Sequence, residues 1–95
     1  TVVVTWYDFR NATATAALAD YWTISCAAGS DCSKASSWTG ETQLTAASFD
    51  ITKAPYALGY FLGDYEGLAD AAGNSVAIFA QPQGTDPNNI LFTRF

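Results

Sequence analysis

Residues 2–9 present two faces, Val2, Val4, Trp6, Asp8 and Val3, Thr5, Tyr7, Phe9, and both are largely apolar. Side chains alternate across a strand, so a strand of this composition is covered on both sides and predicts an interior position with layers above and below. "NATATAALA" (residues 11–19) reads as a loop, because its Ala and Leu carry no clear helix start. A second strand is predicted over residues 20–27, then a Cys-bounded turn, "AGSD", and a third strand, "ETQLTAA", over residues 41–47. The pattern then begins again. Residues 60–69 look strand-like, "DAAGN" is a turn, "SVAIFAQ" is a strand apolar on both faces, "PQGTDPNN" is a turn and "ILFTRF" is a last strand. The fold class is therefore all-β. A meander of short antiparallel strands, greasy on both faces and loosely repeated, is the pattern of propeller blades, which stack face against face. A small β-sandwich of about seven strands is the alternative.

Composition sharpens this picture. Of 95 residues, 49% are apolar, 15% aromatic and 14% charged, a chain built to pack rather than to stay disordered. The aromatic load implies a dense core or surfaces that belong against further structure. With a net charge of −5 and only Arg10, Lys34, Lys53 and Arg94 as cations, no basic stripe exists and nucleic acid is excluded as a partner. No apolar run reaches the ~20 residues of a membrane span. The chain opens on a strand pattern, without an initiating Met or a signal-peptide profile, and reads as part of something longer.

Cys26 and Cys32, with five residues between them, are the only cysteines, and there is no His. A metal site lacks its remaining ligands, so the pair reads as a local disulfide at a hairpin end, in a protein outside the cytoplasm; two reduced thiols are the other reading. "GTDPNN" has oxygen donors but not the pattern of a calcium loop. The Asn11 sequon "NAT" decides nothing. Neither a metal nor a cofactor is expected.

"WYDFRN", the Cys-bounded hairpin, "SFDITKAPYALGYFLGDYEGLA" and the closing strands together resemble the C-terminal part of bacterial sialidase-like proteins with neuraminidase (BNR) repeats. The resemblance spans nearly the whole chain and is most specific over residues 48–69. The family carries a Tyr-Ser-x-Leu stretch, a turn, an apolar strand and a final aromatic strand. Here "YEGL" at Tyr65, "GNSVAIFAQ" and "ILFTRF" follow in the same order, with Glu66 in place of the Ser. The resemblance implies a six-bladed propeller and, in its enzymes, retaining hydrolysis of terminal sialic acid. That chemistry uses a tyrosine nucleophile paired with a glutamate, an aspartate acid/base and three arginines on the substrate carboxylate. A neutral phenol suits an anionic sugar better than a carboxylate nucleophile, and planar guanidinium groups match a carboxylate two bonds at a time. Two departures stand out. Only Arg10 and Arg94 are present, and "SDCSKASSW" has two residues more than the family's Ser-x-Asp-x-Gly-x-Thr-Trp box between Asp31 and Trp38.

Mapped onto blades lettered from the channel outward, residues 1–49 supply strands B, C and D of one blade, and residues 50–95 supply A, B and C of the next. The start of A (Asp64, Tyr65, Glu66) and the ends of B (Asp8, Arg10, Gln81) then share one rim, and the Cys26–Cys32 turn falls on the opposite face. Tyr65 is the candidate nucleophile or channel-lining sugar contact, against the alternative of an innermost-strand tyrosine packing against neighbouring blades. Asp8, Arg10, Asp64 and Glu66 are the candidate substrate contacts. Against that, Asp64 fits a turn-capping role and Asp8 and Arg10 fit a mutual pair. Trp6, Trp22 and Trp38 fit either sugar platforms or blade packing. Two functions follow: a piece of a secreted (extracellular or periplasmic) sialidase-type glycoside hydrolase acting on sialoglycoconjugates, or a non-catalytic glycan-binding or adhesion propeller. In either case the missing blades of the same protein are the chain's partners.

Overall fold

A computed structural model describes residues 1–95. The chain is all-β and folds as two antiparallel sheets. The first holds β1 (Val2–Asp8), β2 (Leu18–Cys26) and β3 (Trp38–Gln43) in that order, with the short β4 (Phe49–Asp50) pairing with the start of β2. The second is the meander β5 (Gly67–Ala71), β6 (Asn74–Gln83) and β7 (Asp86–Arg94). Only two single 3-10 turns interrupt the strands, at Ala35–Ser37 and Ile51–Lys53, and no helix is long and apolar enough to cross a membrane.

Local chemistry explains most boundaries. The β5–β6 hairpin closes through Ala72 and Gly73, both at positive φ (52° and 79°), the two-residue turn whose twist matches the flanking strands. The stretch "PQGTDPNN", expected to be a turn, is mostly ladder. β6 continues to Gln83 and β7 starts at Asp86, with only Gly84 and Thr85 between them. Both prolines find places that need no donor: Pro82 sits where the register shifts between Gln81 and Gln83, and Pro87 lies on an edge strand. The expected division at residue 49 falls inside β4, whose residues Phe49 and Asp50 both pair with β2.

The strand expected over residues 60–69 is shorter. It begins at Gly67, opposite Ile78, and residues 61–66 lie outside any strand. The reason lies in the other sheet. Beyond Ile78 the Tyr7 hydroxyl occupies the edge of β6, donating to the Ala80 carbonyl and accepting from the Ala80 N–H at 2.9 Å. One side chain thus supplies both partners that a longer β5 would have offered.

The sheets face one another across a small core of Tyr21, Ala77 and Phe79, flanked by Tyr7, Leu44 and Leu91. The Tyr21 and Phe79 rings stack with centroids 4.5 Å apart, and Tyr7 lies 4.6 Å from Tyr21. β1 and β6 run the same way, since Tyr7 reaches Ala80 while Val3, near the start of β1, shares a cavity with Ser75, near the start of β6. The outward faces are not covered. Val2 and Val4 are exposed on the first sheet, and Ile78, Ile90 and Phe92 on the second, where Phe92 is 76% exposed.

Cys26 and Cys32 form the disulfide, with Cα atoms 5.9 Å apart. It closes the β2–β3 connection at the end of the sheet where Val2 faces Cys26, opposite the end where Asp8 faces Asp20. Two further bonds hold this hairpin end. The Asp31 carboxylate accepts from the Ser33 N–H (3.1 Å) and hydroxyl (2.7 Å), and the Trp38 indole N–H donates to the Cys32 carbonyl at 2.9 Å. The Ser33 hydroxyl holds the Asp31 carboxyl below the usual carboxylate range. Opening so short a covalent loop is expected to cost about 2 kcal/mol. The urea midpoint of a Cys32→Ser variant, or of the reduced protein, measures it, and an unchanged midpoint would show the hairpin to be held by hydrogen bonds alone.

Candidate functional site

Three groups of polar residues surround the end of the sheets where β1 finishes and β5 starts. The first is a cleft of about 470 Å³ at the edge of the second sheet. Asp64, Tyr65 and Glu66 form one wall, and Ile78 and Ile90 from the sheet's outer face form another. Asp64 and Tyr65 stand free of side-chain hydrogen bonds, and the Tyr65 ring is 92% exposed. Within this chain the ring lies against no core. Glu66 turns the other way, toward the first sheet, and its carboxylate accepts from the Tyr21 hydroxyl at 2.9 Å.

The Tyr21 phenol lies 2.7 Å from the Thr5 hydroxyl as well as bonding Glu66. A phenol has one proton and a carboxylate only accepts, so Tyr21 donates to Glu66 and accepts from Thr5. Burial pushes the phenol up to about 12 and Glu66 adds to this, while Thr5 opposes it. A tyrosine–carboxylate pair is present, with its phenol buried. Tyr21 has no exposed surface, whereas Glu66 is exposed and lines the cleft, so the bond ties the segment before β5 to the first sheet.

Asp8 and Arg10 form the second group, on the outer face of the first sheet. Arg10 Nε donates to Asp8 at 2.7 Å, and its Nη2 reaches Glu41 at 2.9 Å. The guanidinium lies over the Trp22 ring, 4.0 Å from its centroid, and 5.9 Å from that of Trp6. The Trp6 indole N–H donates to the same Asp8 oxygen at 3.1 Å. Arg10 holds the Asp8 carboxyl below the usual range, and Glu41 followed by Asp8 raises the guanidinium further. The arrangement is an ion pair stacked on tryptophan, with Arg10 Nε and Nη2 already engaged by Asp8 and Glu41. Asp8 and Arg10 are not among the residues lining the Tyr65 cleft.

The third group was not singled out from the sequence. Asp20 is fully buried with no cation beside it, and it accepts from Thr45 Oγ1 (2.7 Å), Ser48 Oγ (2.8 Å) and Asn11 Nδ2 (2.8 Å). A carboxylate that has left water must be met by donors, and here two loops supply them. The signal in the sequence was a lone acid between Leu18, Ala19, Tyr21 and Trp22. The same bonds occupy the Asn11 side chain of the sequon, which also lies 3.4 Å from Gln43 Oε1.

What the site offers chemically is an exposed phenol beside a carboxylate at the mouth of an apolar cleft. No cluster of side chains suited to a metal ion is present. No family model, no curated protein and no solved structure matches this chain.

Proposed function

We propose that this chain forms two adjacent blades of a secreted sialidase-type propeller directed at glycans, with Tyr65 at the mouth of its binding cleft. The observation that carries this reading is the pair of bare apolar faces. The sheets cover each other on one side only, and Val2 and Val4 on one outer face and Ile78, Ile90 and Phe92 on the other have the composition of buried surface. On the first sheet this bare apolar surface lies at the Val2 end, away from the Asp8–Arg10–Glu41 group at the other end of the same face. Further support comes from the β2–β3 hairpin. The Asp31 turn, the Trp38 indole bond and the disulfide do together what the family's box does with Asp and Trp at a shorter spacing. A disulfide also suits an oxidising compartment.

In this reading the Tyr65 phenol is the nucleophile. Its base and the arginines for the substrate carboxylate come from other blades, because Glu66 is bonded to Tyr21 and Arg10 to Asp8 and Glu41. Those same two engagements favour a second reading, a propeller that binds glycans without cleaving them.

Turnover of a fluorogenic sialoside by the longer protein that carries this chain separates the two. The enzyme reading expects turnover that falls by at least a hundredfold in Tyr65→Phe, on the order of what loss of a nucleophile costs. Turnover unchanged in that variant removes Tyr65 from the chemistry, and none in the wild type leaves the binding module.

A further inference from the structure

The two sheets close on each other at Tyr7, Tyr21 and Phe79 and part toward the opposite end of the strands. There a cavity of about 270 Å³ lies between Val3, Thr23, Ser25 and Thr42 of the first sheet and Ser75 and Phe95 of the second. Its walls are unlike the aromatic core a few residues away. Five hydroxyl side chains, those of Thr1, Thr23, Ser25, Thr42 and Ser75, line it together with the Phe95 ring, and no charged side chain does. The volume is many times the ~30 Å³ share of one water and close to the ~300 Å³ at which ligand pockets begin, room for one ring and not a chain.

Thr23 is the residue that packing alone does not explain. It is only 5% exposed, yet its Oγ1 has no hydrogen-bond partner. Valine has nearly the same shape and the same liking for a strand, and would avoid leaving a hydroxyl unpaired in the interior. As placed, Thr23 Oγ1 has almost no accessible surface, so it meets a ligand only by turning about χ1; its cross-strand neighbour is Thr42.

We infer that this inter-sheet cavity binds a single neutral pyranose, its apolar face on Phe95 and its hydroxyls on Thr23, Thr42 and Ser75. Alternating donors and acceptors suit hydroxyl groups, each of which both gives and takes a bond. A carboxylate-bearing sugar finds no cationic side chain here, the α-amino group of Thr1 being the one positive group on a lining residue. The site lies at the other end of the strands from Tyr65 and does not depend on the sialidase reading.

Titrating the ¹⁵N-labelled chain with glucose, galactose and N-acetylglucosamine, and with N-acetylneuraminate as the anionic comparison, tests the assignment. Saturable shifts are expected at the amides of Thr23, Thr42, Ser75 and Phe95 with at least one neutral sugar and not with neuraminate. Thr23→Val is expected to raise the thermal midpoint while weakening binding about tenfold, the value of one hydrogen bond. Thr42→Val, at an exposed position, is expected to weaken binding with the fold intact. The proposal fails if no neutral sugar gives saturable shifts, if the shifts map to the Tyr65 cleft instead, if neuraminate binds equally, or if Thr23→Val binds as the wild type does.

Discussion

Replacing Asp20 with Ala is expected to lower stability by about 3–5 kcal/mol, a large part of the ~5–15 kcal/mol available to a domain of this size. The carboxylate accepts three bonds inside the protein, from Thr45, Ser48 and Asn11, and each holds a different stretch of chain against β2. Ser48 is partly exposed and Asn11 more so, and both can turn to water when the acceptor is gone. Thr45 is buried and cannot. Its hydroxyl would be left without a partner, and a void would open where no side chain is placed to fill it. Asp20→Asn separates shape from charge. The amide oxygen can still accept from Ser48 and Asn11, and the amide nitrogen can donate to Thr45 if that hydroxyl reverses, so a smaller loss of about 1–2 kcal/mol is expected. Urea unfolding of the three proteins measures both differences. An Asp20→Ala variant within about 1 kcal/mol of the wild type would show that the carboxylate is not what holds the loops.

Tyr7→Phe is expected to cost about 2–4 kcal/mol although it removes one atom. That atom serves both the N–H and the carbonyl of Ala80, on the side of β6 where β5 no longer reaches. Without it two backbone groups of a residue only 6% exposed lose their partner together. Hydrogen exchange at the Ala80 amide should rise well beyond the change in global stability, and protection equal to the wild type's would refute the assignment.

Tyr7 and Tyr21 together set an alkaline limit. Burial is the main cause that raises both phenols above their ordinary value of 10.0, Tyr21 to about 12. In the unfolded chain each phenol loses its proton near pH 10 while the folded protein keeps it. The unfolded state therefore binds fewer protons, and stability falls as pH rises from about 10 toward 12. Below pH 10 both states hold the proton and these groups give no dependence. The thermal midpoint followed across this range should drop in the wild type and drop less in Tyr21→Phe, whose remaining loss reports Tyr7.

How much of this was readable beforehand depends on the distance over which each feature is encoded. The Val2–Phe9 pattern identified β1, and "DAAGN" the hairpin before β6, because alternation and turn chemistry are written within a few neighbouring residues. Cys26 and Cys32 were legible for the same reason, as was the mutual engagement of Asp8 and Arg10 among the alternatives. The turn at "PQGTDPNN" was drawn too long because two prolines weigh against a strand, and only the ladder shows that one sits at a bulge and the other on an edge. The start of β5 was drawn too early because nothing in residues 60–66 reveals that Tyr7 has taken the edge they would have used.

The amino-acid order alone determined that this protein is built from short antiparallel strands greasy on both faces, joined by turns and a local disulfide, without the charge for nucleic acid. The tertiary structure decided which polar groups meet: Asp20 with Ser48 across 28 positions, Tyr21 with Glu66 across 45, Tyr7 with Ala80 across 73. Strand periodicity arises from the geometry of one residue to the next, so a single sequence carries it. The partner of a buried carboxylate or phenol is set by how two sheets pack, and no local pattern records that.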